Sequence, residues 1–319
     1  MLTYVIRRVI QAIPIVFGIS LLIFFIVQLA PGDPTDRFRV PKVPPEQIAA
    51  LFRLYGLDKP VWEQYFAWIT AFVQVWRPDA WGYSFQTGQP VLGTIMGRLP
   101  ATIILMGTAE VVTIIFAIPI GIVAAVKQYS LTDKIISVFA TIGYAIPSFI
   151  LGLYVLYFGG VVLGWFPLFG RESLGKSGDI LDIAWHLVLP VTSLAIQTIA
   201  GYARYVRTSM LEVLNQDYIR TARAKGLRSS RVIGKHALRN ALLPVVTLLG
   251  LSLPALVAGA IITETIFSYP GIGSLTITAI AGNDYPVIYA TAMLIGITVI
   301  LGNLLADVMY GLVDPRIKY

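Results

Sequence analysis

The stretch Asp217–Arg239 reads DYIRTARAKGLRSSRVIGKHALR, and its character decides how the chain is organised. From Arg204 to Arg239 stand nine Lys or Arg against two acids, Glu212 and Asp217. Apolar blocks too long for a soluble core flank it on both sides. A basic insert between two spanning segments sits in water, and the excess of Lys and Arg on inner loops makes that water the cytoplasm. Local chemistry predicts two short helices meeting at a turn. Asp217 is placed to cap the first, and Tyr218 to Lys225 is rich in helix formers. Gly226 is the natural stop, because glycine enters the left-handed region without a Cβ clash. Ser229 or Ser230 then caps a second helix running toward Leu243-Pro244. Ala222 and Ala224 keep part of the first helix shallow, as close docking into another protein's groove requires. The alternative is an ordinary loop whose charges only set topology.

Composition agrees with a membrane setting. Apolar residues make up 56% of 319 positions and charged ones 13%, against about 25% charged in soluble domains. The net charge of +7 would hint at nucleic acid in a soluble chain. Here it collects where topology needs it, so no nucleic-acid partner is inferred. The chain has no cysteine and two histidines. That excludes disulfides and thiolate chemistry and speaks against a metal site. No paired carboxylates and no nucleophile beside a histidine stand out, so the chain itself is read as non-catalytic.

The fold class expected is an all-α integral membrane protein with six transmembrane helices. Arg7-Arg8 precede a first helix within residues 1–30, which lacks a small-x-small cleavage site and is read as retained. Residues 31–99 form an external loop domain with amphipathic helices at Pro45–Leu54 and Val61–Val75. That domain is either a packed cap or a surface for membrane or partner. Residues 100–319 form a five-helix core with spans at Pro100–Val126, Ile135–Leu163, His186–Ala203, Ala241–Phe267 and Tyr285–Leu312. The cytoplasmic loop 204–240 separates the fourth span from the fifth, and both termini lie in the cytoplasm.

An ionisable side chain at mid-bilayer costs about 2.5–3.5 kcal/mol and needs a partner or a wet cavity. Glu110 and Asp307 lie within spans, and Glu264 stands close enough to an outer boundary to be solvated. Glu110, Ser148, Gln197, Asn303 and Asp307 are the candidates for lining a passage, with Thr192 and Ser193 beside them. Polar residues also glue helices together, which is the competing role for each. Gly170–Ser177 matches the phosphate-loop pattern G-x-x-x-x-G-K-S letter for letter. It follows no buried strand and opens no helix, and Gly178-Asp179 break what would follow, so nucleotide binding is not read from it.

Several landmarks carry a resemblance to a known family. Ala222, Gly226, Leu243-Pro244 and His236-Ala237-Leu238-Arg239-Asn240 resemble the "EAA" loop of bacterial ABC importer permeases, with Arg220 where the general motif has its glutamate. The peptide and nickel branch is the nearest in pattern. Arg7-Arg8 through Pro14, Leu29 to Pro34, Trp81 to Ser84, Thr263 to Gly273, Asn303, Asp307 and Asp314-Pro315-Arg316 are similar to that branch's other motifs. The resemblance implies that Asp217, Tyr218, Arg220, Thr221, Ala222, Arg223, Ala224, Lys225, Gly226 and Leu227 form a helix coupling the chain to an ATPase. It implies a second homologous permease subunit, two cytoplasmic ATPase subunits that hold ATP and magnesium, and an external solute-binding protein. No cofactor is expected on this chain. The implied cargo is an oligopeptide or dipeptide, with nickel chelate or glutathione as alternatives. An ion-coupled secondary transporter is the rival from another class, though the inverted repeats it needs are not evident.

Overall fold

The computed structural model describes residues 2–29, 46, 50, 53 and 56–313, with side chains described over 6–29, 46, 50, 53 and 56–305. Apart from residues 46, 50 and 53, the expected Pro45–Leu54 helix lies outside the described residues, as does the 314–319 tail.

The described chain is helical. Helix α1 is Leu2–Leu29, α2 is Val61–Val73 and α3 is Val91–Val126. Helices α4 (Leu131–Ala145) and α5 (Ser148–Leu156) follow, then a π-helical turn, Tyr157–Val162. Helix α6 is Ile180–Leu214 and α7 is Asp217–Ala224. Next come α8 (Ser229–Arg231), a second π-helical turn (Val232–Ala237), α9 (Leu238–Ala241) and α10 (Leu243–Ser252). Helices α11 (Ala255–Ala258), α12 (Ile261–Ile266), α13 (Ile272–Ala281) and α14 (Tyr285–Val313) complete the chain. Five helical stretches are long and apolar enough to cross a membrane, and a sixth if the α4–α5 pair is one span.

That pair departs from the single tilted span expected over Ile135–Leu163. Its halves meet at 102°. Pro147 is the cause, since its ring forces the preceding residue out of helical geometry and supplies no N–H. Ile146 is accordingly extended, at φ −73° and ψ 126°. The fifth span is also broken, at Leu253-Pro254 and at Gly259, where φ is +75°. Two boundaries shift as well. Helix α3 begins at Val91 and carries Pro100 inside it, so the core starts earlier than position 100. The expected outer loop 268–284 contains α13, whose Ile272 and Ala279 are buried against α3 and α14.

The architecture rests on α3 and α6, which pack along most of their lengths. Small residues set their separation. A Cβ added at Gly121 would lie 2.6 Å from Val206 Cβ and 2.7 Å from the Ala203 carbonyl. Such residues let membrane helices approach where no hydrophobic effect drives them together. Helix α14 pairs with α1 on one side and touches the broken fifth span on the other. Gly302 admits the ring of Pro254, whose Cγ would stand 2.5 Å from an added Cβ.

The end of the bundle that carries α7 is called the basic end. At the opposite end, residues 56–90 form a packed cap. Tyr65 and Phe72 of α2 are buried, with Tyr65 against Phe24 at 5.4 Å and Trp68 over Tyr289 at 5.2 Å. Trp62 and Phe66 of the same helix are exposed. Trp81 stacks on Phe72 at 4.5 Å, and Ser84 donates to the buried Asp284 carboxylate. The glycine-serine element therefore ties the cap to the start of α14.

Gly121→Ala is expected to destabilise the bundle by about 1–3 kcal/mol through overpacking. Gly201→Ala, with open space around its Cβ, is not. Thermal midpoints of the purified protein in detergent check the pair.

Candidate coupling site

Helix α7 spans only eight residues and has two unlike faces. Asp217, Tyr218, Arg220, Thr221, Arg223, Ala224 and Lys225 are exposed, whereas Ile219 and Ala222 are buried. Residues three apart share a helix face, and this one packs on Val206 and Met210 of α6, Ala125 of α3, and Val232, Ala237 and Ala241. Ala222 thus seats α7 on its own bundle. That corrects the expectation that its small side chain faces a partner: Ile219 commits the shared face to the core, and a larger residue would lift the helix off it. Ala224 does face outward.

The helix termini differ in detail from expectation. Gln216, not Asp217, is the extended cap residue, and Asp217 opens the helix with its carboxylate 3.4 Å from Arg220. An acid in the first turn still favours the positive helix end. Arg228 rather than Ser229 or Ser230 caps the next helix, with no side-chain cap bond. Gly226 behaves as expected. At φ +76° its N–H donates to the Arg223 carbonyl at 2.9 Å, and Leu227 N–H reaches the Ala222 carbonyl at 3.4 Å. This is the Schellman closure that favours glycine.

Two polar ties stand at this end of the bundle. Asn240 of α9 donates to Tyr218 Oη at 2.8 Å. Arg207 of α6 grips Asp133 of α4 with two bonds, Nε to Oδ1 at 2.7 Å and Nη2 to Oδ2 at 2.8 Å. The Asp133 side chain is 5% exposed and also accepts the Tyr129 N–H at 2.9 Å. Sequence reasoning missed Ile219, Val206, Met210, Asp133 and Arg207. One signal was present: Asp133 is the lone acid in the short basic turn between Lys127 and Lys134.

The candidate passage residues do not form one group. Gln197 donates through Nε2 to the Ile146 carbonyl freed by the α4–α5 break, next to the half-buried Ser148. Glu110 accepts from Tyr202 Oη at 2.9 Å on another face of α6. Thr192 is exposed and Ser193 buried. Asn303 is exposed on α14, and the side chain of Asp307 lies outside the described residues.

The Gly170–Ser177 loop spends its donors on its own carboxylates. Glu172 accepts Ser177 Oγ and the Gly178 N–H, both at 2.9 Å, and these bonds hold its carboxyl below the usual range. Ser173 donates from Oγ to Asp182 at 2.8 Å, and Lys176 stands 3.7 Å from the same carboxylate.

Residues 117–319 match the family model "Binding-protein-dependent transport system inner membrane component", and residues 1–106 match the model of that component's N-terminal part. The chain belongs to this family. It is 43% identical to the "Oligopeptide transport system permease protein AppB" of Bacillus subtilis over the whole of both chains. It is 40% identical to the "Dipeptide transport system permease protein DppB" of Escherichia coli, covering 100% of this chain and 99% of that one. A solved structure titled as an inward-facing conformation of the MetNI methionine ABC transporter matches its fold. The TM-score is 0.58 at 18% identity, over 70% of this chain and 98% of that one.

In this inner membrane component the segment Thr263–Gly273 builds a buried knot. Glu264, expected to be solvated, is fully buried. Its Oε1 accepts Thr102 Oγ1 at 3.1 Å and its Oε2 accepts the Ser274 N–H at 2.8 Å, at the start of α13. The carboxylate is taken up because helix starts present unpaired N–H groups and a positive dipole end. Gly271 and Gly259 leave room for it, since a Cβ at either would approach an Oε atom to 2.4 or 2.5 Å. Thr102 Oγ1 in turn accepts the Ile272 N–H at 2.7 Å. The knot fastens α3, the fifth span and α13 together.

Arg207→Ala strands a largely buried carboxylate and is expected to cost about 3–5 kcal/mol. Adding Asp133→Ala is expected to recover part of that loss, read as non-additive unfolding midpoints. Glu264→Ala leaves Thr102 and the Ser274 N–H without their acceptor and is expected to lower stability by about 1–3 kcal/mol, checked by thermal unfolding in the same detergent.

Proposed function

We propose that this permease subunit carries oligopeptides or dipeptides into the cytoplasm by ATP-driven alternating access. The reading draws on the names of its relatives and, for mechanism, on the two-faced helix α7. A helix whose inner face is fixed to α6 and α3 moves only with them. Its outer face offers Tyr218, Arg220, Arg223, Ala224 and Lys225 to a partner. The basic end is the cytoplasmic end, as the Lys/Arg bias requires, and both termini lie there. Two ATPase subunits dock on that end, one of them on α7. A second, homologous permease completes the passage, and an external binding protein delivers cargo to the capped end. ATP and magnesium are held by the ATPase subunits, and this chain binds no cofactor and catalyses no reaction.

The mechanical sequence follows from the ties. Closure of the ATPase pair displaces α7, and its weld to Val206 and Met210 passes the displacement to α6. The Arg207–Asp133 grip passes it to α4. ATP shifts the equilibrium only by binding the outward-open arrangement more tightly than the inward-open one.

Gly226→Pro tests this in proteoliposomes holding the assembled complex. Proline excludes φ +76° and removes the N–H that closes α7. Peptide uptake is expected to fall at least tenfold while the spans and the second permease still co-purify. Wild-type uptake by this variant would remove α7 from the mechanism. Uptake driven by an ion gradient without ATP would overturn the reading altogether.

A further inference from the structure

Glu110 is the acid that the packing leaves unexplained. It stands near the midpoint of α3, roughly 25 Å from either end at the helical rise. Its Oε1 takes one bond, from Tyr202 Oη at 2.9 Å. Among the described residues no Lys, Arg or His forms an ion pair with it, and no donor reaches Oε2. The contrast with two embedded acids among the described residues, Glu264 and Asp133, is sharp. Glu264 is sealed at 0% exposure with donors on both oxygens, and Asp133 is locked by a guanidinium. Glu110 is only half-buried.

A half-open carboxylate at that depth cannot face hydrocarbon without a large desolvation cost. It faces water, cargo or a neighbouring chain. Its surroundings are neutral hydroxyls: Tyr202, then Thr113 and Thr198 one helical turn away, whose hydroxyls meet at 2.6 Å across the α3–α6 contact. The site thus offers one negative charge with one open oxygen, flanked by groups that hydrogen-bond without regard to sign.

Resting on the peptide-permease reading, we propose that Glu110 receives the α-ammonium group of the peptide in transit. That ammonium is the cation every unmodified peptide carries whatever its side chains. A single contact to it serves varied cargo and releases it readily, since no second charge and no closed cage hold the ligand.

The native chain has no cysteine, so Glu110→Cys gives a unique thiol in this subunit. The complex would combine this subunit with a second permease, ATPases and binding protein free of reactive cysteines. Treatment with cationic 2-aminoethyl methanethiosulfonate is expected to modify it, and saturating dipeptide with binding protein is expected to slow the reaction several-fold. In parallel, Glu110→Gln keeps an acceptor for Tyr202 but removes the charge. Uptake of a free-amino dipeptide is expected to fall about tenfold, with co-purification of the second permease unchanged and partial activity kept by Glu110→Asp. An unreactive thiol in the assembled complex, or full uptake by Glu110→Gln, would overturn the proposal. So would loss of the second permease from Glu110→Gln, which would make the acid a subunit contact. A wild-type complex that takes up no peptide would instead sink the permease reading, and this inference with it.

Discussion

A short helix at the edge of a membrane bundle is useful as a lever only if it cannot move alone. The burial of Ile219 and Ala222 against Val206 and Met210 supplies that constraint. Eight residues of isolated helix are unstable in water, because nucleation outweighs so few hydrogen bonds. Helix α7 exists because the bundle holds it. Its outer face is exposed, and its orientation is inherited from α6. Beneath it, α6 meets α3 at Gly121 closely enough that no side chain intervenes. Motion at the basic end therefore enters the two longest described core helices at once.

The two ends of the molecule solve opposite problems with charge. At the basic end a guanidinium and a carboxylate pair across α6 and α4, with water near enough to leave Arg207 26% exposed. At the other end Glu264 is fully enclosed, and a backbone N–H and a hydroxyl hydrogen-bond it in place of a cation. The first device joins two spans through side chains that can part. The second ties the acid to the backbone at the start of α13.

Much of this was legible in the chain before any coordinates. Apolar block lengths gave the spans, the Asp217–Arg239 stretch gave the knuckle, and Gly226 marked the end of its helix for the right stereochemical reason. Facing was harder to read. Ala222 and Ala224 look alike in sequence, and only the placement of Ile219 decides which of them turns inward. Glu264 lies near a boundary by count, yet the turn that follows folds back over it and buries it. Pro147 stands near the middle of the third apolar block, but a bend of 102° could not be read from it, because proline in a membrane helix gives anything from a slight kink to a full break, depending on what satisfies the freed carbonyl. Gln197, far away in sequence, supplies that satisfaction and could not be paired with Ile146 by pattern.

That break has a mechanical meaning of its own. The hydrogen-bond ladder that makes a helix a stiff rod is interrupted at Ile146-Pro147, so twist and tilt in α4 are not passed rigidly into α5. Helix α4 is clamped to α6 at the basic end through Asp133, while α5 leans on α6 and on α12 near the Glu264 knot. The third span is thus a jointed limb, with one segment tied to the basic end of the bundle and the other to the Glu264 knot.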